Sequence, residues 1–158
     1  GLLIMLCGVR LLINQIVPAF QGIAEKVVPG AIPAFDVPIL FNYRPNAVII
    51  GFIVGMITST IFVVIANSFN VFGVLLVPLV ITSFFELGGA AVIGEGQGGL
   101  RGSIIGTTVA ALVMVILVGV SAMLLGSTVQ NWIMIFGGND LSLWGILAKG
   151  LGSLFGGL

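Results

Sequence analysis

The sequence predicts an all-α membrane protein, a polytopic bundle of helices. Of its 158 residues 59% are hydrophobic and 6% are charged, and the mean hydropathy is +1.32. A soluble domain carries about 25% charged residues, so this chain has too few to cover a water-facing surface. Two uncharged runs, residues 47–66 and 103–125, are each long enough to cross a hydrocarbon core of about 30 Å. We therefore expect a multi-pass protein in contact with membrane lipid.

The charged and reactive residues exclude several classes of function. Five basic and five acidic residues cancel, which leaves no electrostatic basis for binding nucleic acid. There is no His and one Cys, Cys7. A His-liganded zinc site, a phosphohistidine relay and a nucleophile with a His base are therefore excluded from these 158 residues. We expect neither a catalytic centre nor a metal or other cofactor in this chain.

The first 28 residues divide into two predicted segments. Residues 1–9 are typical of the end of a transmembrane helix, and residues 10–28 of an amphipathic helix that bends at Pro18. We expect the amphipathic helix to lie along the membrane interface or to rim a cavity. Its polar stripe consists of Arg10, Asn14, Gln21 and Glu25.

Residues 29–45 form a segment that proline breaks. Each proline removes a backbone donor and disfavours helix in the residue before it. Irregular backbone at membrane depth survives only where it is buried in protein or lines a wet cavity. Asp36 lies in this segment, and an unpartnered carboxylate costs about 2.5–3.5 kcal/mol on membrane-insertion scales. A polar, broken segment between apolar ones is the best local indication of a transporter's substrate site. The prolines are Pro29, Pro33, Pro38 and Pro45.

The predicted substrate-binding residues are Asp36, Pro38, Arg44 and Asn46. Asp36 can accept hydrogen bonds from substrate hydroxyl groups or take up a proton, or it can cap a helix or pair with Arg44. Arg44 can contact the substrate, or its long side chain can reach the water interface. Asn46 can bind substrate, or it can cap the helix that follows.

The remainder of the chain contains two further spans and their connections. We expect a span at 46–67 and another at 103–125, and an apolar segment at 71–85 that is short or discontinuous because Pro78 interrupts it. A final helix is expected at 141–158. Small residues spaced four apart on both spans indicate close helix packing; they are Gly51, Gly55 and Ser59 on the first span, and Gly102, Gly106 and Ala110 on the second.

Residues 86–102 are rich in glycine and carry three charges, so we expect a loop there. Gly94, Gly96 and Gly99 match the spacing of a dinucleotide-binding turn. That turn requires a preceding strand and an acidic residue about 20 positions further on. Here a membrane span follows, and the next acidic residue after Glu95 is Asp140. The spacing therefore does not indicate a dinucleotide site.

Residues 8–52 resemble the ascorbate-specific membrane component, enzyme IIC, of the bacterial sugar phosphotransferase system. The shared features, in order, are GVR, an amphipathic helix with AF-x-GI, VPGA, an aspartate before a short apolar stretch, and PNA opening a span. A second shared pattern begins with Phe84-Phe85 before a glycine-rich turn and ends with Gly98-Gly99-x-Arg101. The resemblance runs from about residue 8 to about residue 140.

The resemblance implies uptake of L-ascorbate or a related sugar acid across the inner membrane, with phosphorylation by separate enzymes IIA and IIB. It implies a homodimer whose protomers are built from an internal inverted repeat. Because both ends of this chain lie in apolar runs, we expect it to be a piece of a longer protein. The resemblance implies that this piece holds the second repeat and lacks the N-terminal one. By position, Asp36 matches the family aspartate that contacts substrate.

Three positions depart from the family pattern, and two other functions compete with it. Arg44 replaces the usual Ala, Val37 replaces a common Cys, and Glu95 stands where Asn or Asp is usual. A guanidinium near the site changes which anionic groups are favoured. The alternatives are a secondary transporter of another polar solute and a non-transporting structural subunit. An ion channel would need rings of charged residues around its axis, and the single Asp of the broken segment does not supply them.

Overall fold

The computed structural model describes residues 1–27, 37–126 and 138–156, and this part of the chain is helical, with no strand in it. Its elements are α1 (Leu2–Lys26), a 3-10 helix (Val37–Asn42), α2 (Pro45–Ser68), the short α3 (Val80–Thr82), a π-helical turn (Ser83–Leu87), α4 (Gly88–Leu125) and α5 (Asn139–Leu154).

Three helical stretches within these residues are long and apolar enough to cross a membrane. They are Leu3–Ile23, Pro45–Ser68 and Val80–Leu125. The prediction of an all-α, multi-pass membrane protein is confirmed, and helices α2 and α4 cover the residues predicted as spans at 46–67 and 103–125.

Helix α1 is one element where we predicted two. It runs through Pro18 from Leu2 to Lys26, because a membrane helix tolerates proline when neighbouring groups satisfy the freed carbonyl. The separate interfacial helix predicted at 10–28 is therefore wrong in its bounds. The polar stripe still faces protein in part, since Arg10 Nε donates to Asn42 Oδ1 at 3.2 Å. Asn14 lines a cavity of about 290 Å³ between α1 and the 3-10 helix.

Helix α2 packs through its small residues, as predicted. Gly51, Gly55 and Ser59 are all buried. A Cβ added to Gly51 would lie less than 3.0 Å from atoms of Leu87 and Ala91, and one added to Gly55 would meet the Leu87 side chain. The absence of side chains at these positions lets the two backbones approach closely, which is how helices associate in lipid.

The segment predicted as a short helix at 71–85 is not helical in its first half. Residues 74–79 are not helical, and helix begins only at Val80. Asn67 near the end of α2 replaces the missing backbone partners, because its Nδ2 donates to the Leu76 carbonyl at 2.8 Å and its Oδ1 accepts the Leu76 N–H at 3.0 Å. Leu76 is buried, so this non-helical backbone survives by being enclosed in protein.

The loop predicted at 86–102 is wrong, because these residues are helical. The helix is interrupted at two glycines, Gly98 (φ −139°, ψ 20°) and Gly99 (φ 59°, ψ −150°). The positive φ at Gly99 is a conformation that residues with a side chain rarely adopt. The glycines form a turn between helices and are not a flexible loop.

The chain folds back on itself at this turn into a helical hairpin. In a straight helix Gly94 and Gly102 would be about 12 Å apart. Here a Cβ on either one would lie less than 3.0 Å from the backbone of the other. A Cβ on Gly106 would lie 3.6 Å from the Ala90 carbonyl oxygen. The hairpin therefore has a first limb, residues 80–97, and a second limb, residues 100–125.

The first limb runs antiparallel to α2. Arg44 at the start of α2 faces Glu95 near the hairpin turn, whereas Gly55, three turns further along, contacts Leu87. Helix α5 packs on the second limb, where Ser121 Oγ donates to Ser142 Oγ at 3.3 Å and Lys149 Nζ donates to the Leu124 carbonyl.

We predict that Asn67→Ala destabilises the protein, because it leaves the N–H and carbonyl of Leu76 without partners. An unsatisfied buried polar group costs about 1–3 kcal/mol. Thermal unfolding in detergent, followed by circular dichroism, should show a clear fall in Tm. Ser68→Ala, one residue further on at an exposed position, is the control and should leave Tm unchanged. Equal Tm values for the two variants would contradict the role of Asn67.

We predict opposite effects for two neighbouring glycine substitutions. Gly94→Ala places a methyl group against the Gly102 backbone, and overpacking of this kind costs about 1–3 kcal/mol. Gly96→Ala has no atom within 4 Å of its new methyl group and should gain up to about 1 kcal/mol from higher helix propensity. Unfolding measurements on both variants test the hairpin. A Gly94→Ala protein as stable as the wild type would refute the close contact between Gly94 and Gly102.

Candidate functional site

A groove of about 800 Å³ lies between the 3-10 helix, the first limb of the hairpin and the start of α5. The residues that line it are Val37, Leu40, Ile81, Thr82, Phe85, Glu86, Gly89, Ala90, Ile93, Ala110, Gly138, Asn139 and Asp140. Most are apolar, with a few polar side chains gathered at one end. That composition is typical of a small-molecule site.

Aromatic packing fixes the 3-10 helix against the hairpin. Phe41 and Phe84 meet edge to face with ring centroids 5.3 Å apart, and Phe41 stacks on Phe85 at 6.0 Å. Phe41 and Phe84 are almost fully buried. Gly89 has no room for a Cβ, which would lie 2.7 Å from Val37 Cγ1. These contacts hold Val37, and with it the chain that follows Asp36, at the edge of the groove.

Glu86 joins the hairpin to α5. It lies in the π-helical turn, and its Oε1 accepts the backbone N–H of Asn139 at 2.6 Å. Asn139 is the first residue of α5, where free N–H groups and the helix dipole favour a negative charge. The other oxygen, Glu86 Oε2, is buried and has no hydrogen-bond partner among the described residues, and the same is true of Asn139 Oδ1.

The polar end of the groove is acidic. Asp140 is exposed, and its Oδ1 accepts the N–H of Leu141 at 2.8 Å. The described lining contains two carboxylates and no Lys or Arg. No group of three or more Cys, Asp or Glu residues in the described part of the chain is placed to hold a metal ion. The groove can accept hydrogen bonds, and its described lining offers no cationic side chain to an anion.

Arg44 and Asn46, two of the predicted site residues, are not among the residues that line this groove. The Arg44 side chain is 61% exposed, with its Nη1 3.8 Å from Glu95 Oε1. Asn46 is exposed and does not cap α2, whose N-cap position is Arg44 without any side-chain capping bond. Pro45 favours the first position of a helix, so α2 starts before Asn46 and the predicted cap is wrong.

The other two predicted site residues lie close to the groove in sequence. Pro38 belongs to the 3-10 helix, next to Val37, which lines the groove. Asp36 lies outside the described residues and directly precedes Val37. The predicted broken segment and the groove therefore meet at Val37.

Sequence reasoning missed Glu86, Asn139 and Asp140 as groove residues. We assigned Glu86 to a wet loop because seven glycines follow within 16 residues. The useful signal was its place at the end of an apolar run, since an acidic residue in a membrane segment indicates function. Asn139 and Asp140 gave no signal, because the contact between Asn139 and Glu86 spans 53 residues.

Comparison with known proteins identifies related sequences. The sequence model of the family described as EIIC-GAT, "PTS system sugar-specific permease component", matches residues 1–140. A curated protein of Mycoplasma pneumoniae, the "Ascorbate-specific PTS system EIIC component", is 36% identical over 110 residues. That alignment covers 66% of this chain and 17% of the relative, so the chain spans only about a sixth of the relative's length. No solved structure matches the chain.

We predict that the ion pair between Arg44 and Glu95 contributes little to stability. An exposed pair contributes less than about 1 kcal/mol, and Arg44 is mostly exposed. Arg44→Gln should therefore lower the free energy of unfolding by less than that amount. The double variant Arg44→Gln/Glu95→Gln should match it, which denaturant unfolding in detergent measures. A loss above about 2 kcal/mol would show that the pair holds the hairpin turn in place.

Proposed function

We propose that the protein takes up L-ascorbate or a related sugar acid. The chain belongs to the family of sugar-specific permease components of the phosphotransferase system. The chain is part of a multi-pass protein of the cell's inner membrane. The substrate class is supported by the relative that is 36% identical and named as ascorbate-specific.

The observation that carries this proposal is the position of the groove. All of its described lining residues, from Val37 to Asp140, lie inside the region that matches the family. The groove lies at the junction of a 3-10 helix and a helical hairpin. Transporters typically place their substrate sites at such interruptions of membrane helices.

We propose that Asp36 accepts hydrogen bonds from the substrate. Its neighbour Val37 lines the groove, and the four prolines around it in the sequence disfavour a regular helix there. Of the other predicted site residues, Pro38 would shape the same turn. Arg44 and Asn46 would act at the rim, because neither lines the groove.

The proposed mechanism couples uptake to phosphorylation by partner proteins. Enzymes IIA and IIB would transfer a phosphoryl group to the sugar as it leaves the permease. The chain has no His, so it offers no phosphohistidine of its own. The rest of the site would come from an N-terminal repeat of the same polypeptide, and the protein would act as a homodimer.

Uptake into membrane vesicles tests this function. The protein, as its gene encodes it, is expressed with enzymes IIA and IIB, and the vesicles are given labelled ascorbate and a phosphoryl donor. The proposal requires accumulation of phosphorylated ascorbate that depends on all three proteins. Accumulation of unmodified solute would identify a secondary transporter instead, and no uptake of any sugar would indicate a structural subunit.

We predict that Asp36→Asn lowers ascorbate uptake at least tenfold in this assay, because one hydrogen bond to a charged group contributes about 1.5–3 kcal/mol. The substitution removes a charge and so eases membrane insertion. The amount of protein in the membrane, measured by immunoblot, should therefore be unchanged. Glu25→Gln, at an exposed position of α1, is the matched control. Normal uptake by Asp36→Asn would remove this residue from the site.

A further inference from the structure

We propose that Glu86, assisted by Asn139, binds the uncharged hydroxyl groups of the substrate, and that the anionic end of the substrate faces away from them. This inference rests on the proposed function and adds an orientation to it. It assigns substrate recognition to the π-helical turn of the hairpin, a part of the chain that carries no predicted site residue.

Two buried hydrogen-bond acceptors of the described residues face the groove without a donor. Glu86 Oε2 and Asn139 Oδ1 have no partner in the described part of the chain, and both residues line the groove. A buried acceptor without a donor is costly. A sugar with adjacent hydroxyl groups supplies two donors at once, and binding it would remove that cost.

Glu86 is held in position before any ligand arrives. Its Oε1 is bonded to the Asn139 N–H, which fixes the carboxylate plane and leaves Oε2 for another donor. The residue also lies in a π-helical turn, Ser83–Leu87. Such turns are rare and frequently occur at functional sites.

The charges in the groove determine which end of the substrate can approach Glu86. The described lining has Glu86 and Asp140 and no cation, so the charged end of a sugar acid would be repelled from this end of the groove. Hydroxyl groups can donate hydrogen bonds to the unpartnered oxygen of Glu86 and to the amide oxygen of Asn139. The ligand chemistry at Glu86 is therefore a neutral diol.

A purely structural role is the competing explanation, in which Glu86 only caps α5. Glu86→Gln separates the two roles. The amide oxygen can still accept the Asn139 N–H, and this places the NH₂ group, a donor, where Oε2 was. The cap is kept and the acceptor is lost. Asn139→Ala provides a second test, because it removes Oδ1 and keeps the backbone N–H that Glu86 uses.

The experiment measures equilibrium binding to the gene-encoded protein in detergent. Labelled L-ascorbate is displaced by unlabelled L-ascorbate or by its 6-deoxy analogue, which lacks one side-chain hydroxyl. The wild type and the control Glu25→Gln should prefer ascorbate by about tenfold, because the deoxy analogue leaves a buried acceptor without a donor. In Glu86→Gln the preference should fall below about threefold, and Asn139→Ala should reduce it as well.

Each other outcome decides against part of the argument. An unchanged preference in Glu86→Gln, or an equal loss of affinity for both ligands, would show a structural role and overturn the inference. If the wild type does not bind ascorbate, the proposed substrate is wrong. Neutral hexitols and their deoxy analogues then replace it, and the same loss of preference is required. Failure of the wild type to prefer any hydroxylated ligand overturns both proposals.

Discussion

The close approach of two backbones at Gly94 and Gly102 is the constraint on which the rest of this structure depends. The 46 residues from Val80 to Leu125 would extend about 69 Å as one helix, more than twice a hydrocarbon core. The glycines allow the chain to turn and the limbs to touch. In lipid the hydrophobic effect does not drive helices together, so close packing of small residues has to do so. The first limb of this hairpin carries Glu86 and Gly89, both of which line the groove.

Two irregular stretches lead into the hairpin, and a distant polar side chain or backbone group secures each one. The non-helical residues 74–79 are held by Asn67, which bonds both backbone groups of Leu76. The π-helical turn is tied to α5 by the bond between Glu86 and the Asn139 N–H. Both arrangements follow from one requirement, that backbone groups at membrane depth find partners in the protein. Both backbone groups of Leu76 have partners, whereas at the second stretch Glu86 Oε2 and Asn139 Oδ1 have none among the described residues.

Sequence reasoning succeeded where composition alone decides the structure. The uncharged runs correspond to α2 and the second limb, and the small faces at Gly51 and Gly106 do contact other helices. It failed at residues 86–102 because glycine indicates a loop in water but a packing surface in lipid. The deciding contact, between Gly94 and Gly102, leaves no local pattern. The cap predicted at Asn46 failed because Pro45 sets the start of the helix.

The candidate site combines one feature that the sequence could indicate with one that only the fold could bring to it. Prolines around an aspartate mark residues 29–45 without any knowledge of contacts. Glu86 becomes part of a site only because aromatic packing of Phe41 on Phe84 brings the 3-10 helix to the hairpin, and because α5 returns to meet it. A groove with carboxylates at one end and no cation in its described lining cannot hold a sugar acid by its charge there. Under the proposed function, selectivity for such a substrate would be divided. This chain would bind the hydroxyl groups, and the negative charge would be balanced by residues outside it.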